Sequence, residues 1–303
     1  MELNLNTIGT LLLHAGIVVI MFSMGLQTTG AHIWAALRRR RLMASAVLAN
    51  LIVLPLAAVA LSRLVAMPPE IAAGFLIAAV APGASLSPKL SEIAHADLSF
   101  AVGLLFVLAV LSVVATPLLA GWFLPDGPNL QFDPMRIVGI LIRFQLIPLL
   151  IGLAIHHWRP GLAGRLRRPS ILLTNVLFVV IVAFYLIRDF AAVRTLPLPS
   201  VAAMGLMTLL SLFVGWQLGG PDKATRQTLA LGTSVEFTGL ALLITTLSFP
   251  GTQAPITVVA FGLIMIVVNT AAALVWGRRG DRGAASAPAA REQLQTVGEA
   301  LEA

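Results

Sequence analysis

Cysteine is absent from the sequence, which excludes disulfides and thiolate metal sites. Charge is scarce: 11% of the 303 residues are charged, against about 25% in soluble domains, while 58% are hydrophobic. Lysine occurs only at Lys89 and Lys223, and tyrosine occurs once. With a mean hydropathy of +0.93, the chain reads as an all-α polytopic membrane protein whose surroundings are the lipid bilayer. The formal net charge of +7 does not point to nucleic acid, because the arginines form short runs between apolar segments. HExxH, G-x-S-x-G and paired mid-membrane aspartates are all missing, so no enzyme and no cofactor are expected.

A spanning helix needs roughly 20 apolar residues. Nine segments qualify: about 8–28, 42–65, 71–92, 98–121, 135–157, 170–188, 199–218, 224–249 and 253–277. Basic clusters at Arg38 to Arg41, Arg159 to Arg168, and Arg278 with Arg279 mark cytoplasmic loops. All three agree with an outside N-terminus, a cytoplasmic C-terminus and a bacterial inner (plasma) membrane. The start "MELNLNTIGTLLLHAG" has no basic region or small-residue cleavage site, so no cleaved signal peptide is expected. Residues 1–277 form the expected membrane domain. Residues 278–303, rich in Ala, Gly and charge, form an expected disordered tail in which a short helix has room.

Two spans are interrupted. Span three carries "PGASLSPK" and span eight carries "GTSVEFTG". Irregular backbone at membrane depth is tolerated only where it is buried in protein or lines a cavity. Span eight comes five after span three, so the two run in opposite directions, as inverted repeats over about 8–121 and 135–277 require. Interrupted segments in corresponding halves point to the binding site of a secondary transporter.

The residues then resemble a known family. "PGASLSPKLSEIAHADLSFAV" is similar to the signature of bile acid:sodium symporters. "MFSMGL" at 21–26, "NLIVLPL" at 50–56, "MPPEIAAGFLI" at 67–77, "TPLLAG" at 116–121 and "SVEFTGLAL" at 234–242 follow in matching order. The resemblance implies a core and a panel domain, with spans three and eight as two crossed, unwound helices. It also implies that the family's first helix is missing here, which leaves nine. Of the family's sodium ligands, an amide oxygen persists at Asn50 and a hydroxyl at Ser87. The expected asparagine is replaced by Pro88, two hydroxyls by Ala101 and Leu105, and a glutamate by Gly232. The family's Gln-Asn pair falls on Glu236 and Phe237. A residual sodium site at Asn50 and Glu236 is therefore the most that the resemblance supports.

A charged side chain at mid-membrane costs roughly 2.5–3.5 kcal/mol on insertion scales, so Lys89 and Glu236 call for a reason. If the two breaks cross, each is the other's expected partner, and the Lys89 ammonium takes the place of sodium. The plainer reading has Lys89 snorkelling to water or pairing with Glu92 one turn on. Arg143, in span five, either binds a substrate carboxylate or faces the core–panel interface. Ser85, Ser87, Thr233, Ser234 and Thr238 are the hydroxyls of the breaks and suit an anionic ligand beside half-helix N-termini. Asn175 and Asn269 fit helix–helix bonding or substrate contact equally well. Asp97 reads as a helix cap. The expected function is alternating-access transport of a small organic anion, bile-acid-like or another carboxylate, either sodium-independent or proton-coupled. The alternatives are ordinary sodium symport, a channel and a ligand sensor.

Overall fold

The computed structural model describes residues 5–83, 86–125 and 132–302, and among them the regular elements are all helical. The chain runs through α1 (Leu5–Gln27), α2 (Gly30–Arg38), α3 (Arg40–Leu48), α4 (Leu54–Leu64), α5 (Pro69–Ala79), α6 (Leu86–Ile93) and α7 (Leu98–Phe123). It continues through α8 (Pro134–Ile140), α9 (Ile147–Trp158), α10 (Pro160–Val193), α11 (Leu198–Leu218), α12 (Lys223–Ser234), α13 (Thr238–Ser248) and α14 (Ala254–Glu302). Among the described residues, eight helical stretches are long and apolar enough to cross a membrane. Span three is the departure from nine: it is two short helices, α5 and α6, neither of which spans alone. The backbone of α14 continues as helix through the tail.

Two rods are spliced by π turns. Ala49–Val53 joins α3 to α4, and Leu141–Leu146 joins α8 to α9. Pro55 and Pro148 follow them. A proline ring lacks the N–H and presses on the carbonyl four residues earlier, and one wider turn relieves both. Apolar periodicity carries no sign of this. Outside the spans, α2 opens on a reciprocal cap: the His32 amide donates to Thr29 Oγ1 at 3.1 Å and the Thr29 amide to His32 Nδ1 at 3.4 Å.

Helices α1, α9 and α10 pack on one another as a layer. The remaining spans surround the broken ones, where α5 lies against α13 and α6 against α12. Burial shows which layer is central: 83% of an apolar 18-residue stretch within Lys223–Ser248 is buried, but only 17% of one within Pro160–Tyr185. A segment with glycine, hydroxyls and a carboxylate cannot face lipid, so it takes the centre.

Candidate functional site

The two breaks meet. The helix of α5 ends at Ala79, and Gly83 turns the chain at φ +99°. A Cβ at Gly83 would lie 3.2 Å from the Ala109 nitrogen of α7, so this position needs glycine for its dihedral and its close approach. Thr116 on α7 donates to the freed Val80 carbonyl at 2.5 Å. Across the junction, the Phe237 amide donates to the Ala81 carbonyl at 2.8 Å, joining one break to the other through the backbone. On the far side α14 holds the second break. Asn269 Nδ2 donates to the Ser234 carbonyl at 3.3 Å, the Ser234 hydroxyl donates to Asn269 Oδ1, and the Glu236 amide meets Met265 Sδ at 3.1 Å. Of the two readings open for Asn269, helix–helix bonding is realised.

Glu236 lies in that second break with 2% of its surface exposed, and neither carboxylate oxygen has a hydrogen-bond partner. It borders a crevice of about 80 Å³ between the break, α14 and the α1/α10 face. The walls are apolar, formed by residues such as Leu13, Ile17, Ile181 and Ile266. Among the described residues, the other polar side chains on the crevice are Thr238 and Tyr185. An ionised carboxylate buried without a partner carries a desolvation cost of several kcal/mol. A cation delivered to Glu236 would remove it.

That cation is not Lys89. The Lys89 ammonium, on α6, donates to Asn175 Oδ1 on α10, and the Arg39–Asp97 pair is the one ion pair among the described residues. The expected Lys89–Glu236 pair is therefore replaced by a contact between layers. Lys89 sits one helical turn past the break, where α6 turns it towards α10. Its local alternative, Glu92, is exposed and forms no ion pair among the described residues.

The other expected residues divide. Asn50 is buried in the first π turn, with Nδ2 on the Ala46 carbonyl at 2.8 Å and Oδ1 unpartnered. No hydrogen bond joins it to Glu236. Ser87 is buried where α6 crosses α12, with its hydroxyl 3.8 Å from the place a Gly232 Cβ would take. Thr238 opens α13 on the crevice wall. Thr233 faces away: its hydroxyl donates to the Ser211 carbonyl of α11 at 2.9 Å and is shared with Leu229 in its own helix. Arg143 is exposed in the second π turn, whereas Gln145 two residues on is buried. Ser85 lies outside the described residues. Asp97 caps α7 through the Phe100 amide at 2.9 Å, as expected.

Sequence reasoning passed over Gln145. It is fully buried in the second π turn, where Nε2 donates to the Ala109 carbonyl at 2.6 Å and to Ser112 Oγ at 2.8 Å. It ties the α8–α9 rod to α7. Its only sequence signal is an amide three residues before a mid-span proline.

Comparison with known proteins bears on this arrangement. Residues 14–195 match the Sodium Bile acid symporter family. The chain is 23% identical to an Arabidopsis thaliana protein named probable sodium/metabolite cotransporter BASS3, chloroplastic, over 85% of this chain and 61% of that one. It is 22% identical to BASS1 of the same plant, named in the same way, over 87% and 66%. A Bacillus subtilis protein named uncharacterized sodium-dependent transporter YocS is 26% identical over 45% and 42%. The chain spans about three-fifths to two-thirds of the length of the two plant relatives.

Proposed function

The chain belongs to the sodium bile acid symporter family, a family of transporters and not of enzymes, and from that premise we propose that it carries a small organic anion across a bacterial inner membrane by alternating access, with the coupling cation bound at Glu236. The observation that supports this most is the unpartnered Glu236 carboxylate, buried on an apolar crevice beside the junction of two broken helices. The crevice lies between the α1/α10 face and the broken helices, so rocking one layer against the other would open it to alternate sides around a fixed site.

Charge supplies the coupling. With Glu236 ionised and empty, an anion entering the crevice meets a like charge in a low-dielectric setting. A cation on Glu236 removes that repulsion, so each ligand favours the other, and the coupling is reciprocal. The proton is the preferred cation, because among the described residues only Thr238 and Tyr185 join Glu236 in bringing side-chain oxygens to the crevice. Hard cations such as sodium are held by several converging oxygens.

Sodium symport is the second reading. The buried, unpartnered Oδ1 of Asn50 favours it, as does the likeness to relatives named as sodium/metabolite cotransporters and a sodium-dependent transporter.

The test is uptake of radiolabelled carboxylates and sulfonates into proteoliposomes of the full chain. Uptake driven by an inward proton gradient without sodium, with counterflow of labelled substrate, is the expected result. Dependence on a sodium gradient alone moves the assignment to the second reading. Uptake without counterflow identifies a channel, and no uptake above protein-free vesicles overturns transport.

A further inference from the structure

A second cavity, of about 60 Å³, lies beside the first, between α1, α6, α7 and α10. Ile20 borders both cavities, and α6 borders the first through Leu86 and the second through Lys89. The chemistry of the two differs. The first holds a carboxylate, whereas no acidic residue lines the second among the described residues.

The donors of the second cavity can be followed one by one. The Gln27 amide donates to Ser23 Oγ at 3.2 Å, Ser23 to Ser170 Oγ at 3.1 Å, and Ser170 to the Arg167 carbonyl at 2.9 Å. Thr28 spends its hydroxyl proton on the Met24 carbonyl at 2.9 Å. Those hydroxyl protons are occupied. Lys89 has three N–H bonds and gives one to Asn175, leaving two. Thr174 is 8% exposed, and its hydroxyl has no partner. An ammonium with two open N–H bonds and a buried, unpartnered hydroxyl therefore face one cavity, and acceptors are what both lack.

We infer that this cavity is the subsite for the charged head of an organic anion, a carboxylate or sulfonate held by Lys89 and Thr174. The apolar body of the same molecule lies past Ile20 in the first crevice. This deepens the transport reading and rests on it for the identity of the ligand as cargo. It also sets an orientation: Lys89 attracts the head to the second cavity, while the apolar walls of the first suit the body. Since Lys89 is on a broken helix and Asn175 on the opposing layer, a bound head group would bridge the two layers that the mechanism moves.

The lack of cysteine allows a direct test. Val102 is half-buried on the cavity wall. A Val102→Cys variant of the full chain is labelled with two small methanethiosulfonates, one carrying a sulfonate and one a trimethylammonium group. With Lys89 present, the anionic reagent is expected to react roughly tenfold faster, because a charged cleft concentrates its counter-ion. Adding Lys89→Met should bring the ratio near one, and Lys89→Arg should keep it. Cyclohexanecarboxylate should slow labelling with Lys89 present, while cyclohexylmethanol should not.

An unchanged ratio in the Lys89→Met background overturns the inference, and so does a cysteine that reacts with neither reagent. Monodisperse elution of each variant in detergent guards against misfolding, and Thr174→Val, which should weaken protection severalfold, provides a second readout. Charge selectivity without uptake of any organic anion retains the subsite and overturns transport. Equal uptake by wild type and Lys89→Met without charge selectivity does the reverse.

Discussion

Replacing Glu236 by glutamine isolates the charge on which the proposed coupling depends. The two side chains have nearly the same shape, so the crevice keeps its packing. The carboxylate is 2% exposed and neither oxygen is hydrogen-bonded. An uncompensated buried charge costs about 3–5 kcal/mol. A buried amide with unmet bonds costs about 1–3 kcal/mol. The difference leaves glutamine ahead of the empty, ionised glutamate by about 2 kcal/mol. For a protein of this size that corresponds to roughly 3 °C in Tm.

Cation binding acts in the same direction. A ligand taken up by the folded state alone stabilises it, by about 2.7 kcal/mol at a hundredfold excess over its Kd. Wild type should therefore gain stability as the coupling cation is added, and Glu236→Gln should start higher and stay flat. Thermal unfolding of purified protein in detergent, titrated with sodium at constant pH and with acid in sodium-free buffer, measures both curves. In proteoliposomes the variant should lose gradient-driven accumulation while still exchanging labelled for unlabelled anion. A Glu236→Gln variant that follows the wild-type response to both cations, or still accumulates substrate along a cation gradient, refutes the assignment of Glu236.

Two further predictions concern the scaffold. Gly83→Ala forces a side chain onto a backbone at φ +99° and to 3.2 Å from the Ala109 nitrogen, so thermal unfolding should show a loss of about 1–3 kcal/mol and uptake should fall. In α2, burial first, then the neighbouring charges of His156 and Arg167, hold the His32 imidazole below its ordinary value of 6.5. The unfolded chain then takes the proton first, so His32 contributes stability above about pH 6.5 that is lost as pH falls. His32→Gln keeps a good capping residue and should reduce the loss of stability between pH 7 and pH 5 in a thermal-unfolding series.

The legibility of this protein in its sequence varied with the physics behind each feature. The breaks were visible because glycine, proline, hydroxyls and a glutamate at membrane depth violate a strong local rule, and the structure puts unwound backbone at both. Asp97 was visible because a cap is a contact within one turn of helix. Gln145 and the π turns were hidden, because an amide among apolar residues gives no periodic signal and its partners lie 33 and 36 residues away. Arg143 was left with two readings for a related reason: hydropathy places a residue in depth and leaves its rotation about the helix axis open. Ser85, outside the described residues, keeps the role given to it from sequence as a proposal.

Composition and pattern by themselves determined that this is a helical membrane protein, roughly where most of its spans lie, and which two are broken. Those are properties of single segments in lipid, where every backbone bond must be met within the helix or at a protected break. Which charge meets which partner was decided only by the tertiary structure. Lys89 and Glu236 belong to breaks that do meet through Ala81 and Phe237, yet one turn of α6 carries the lysine to Asn175 and leaves the glutamate alone. The direction of a side chain depends on how a helix is rotated against its neighbours, and that rotation is set by close packing summed over the whole molecule.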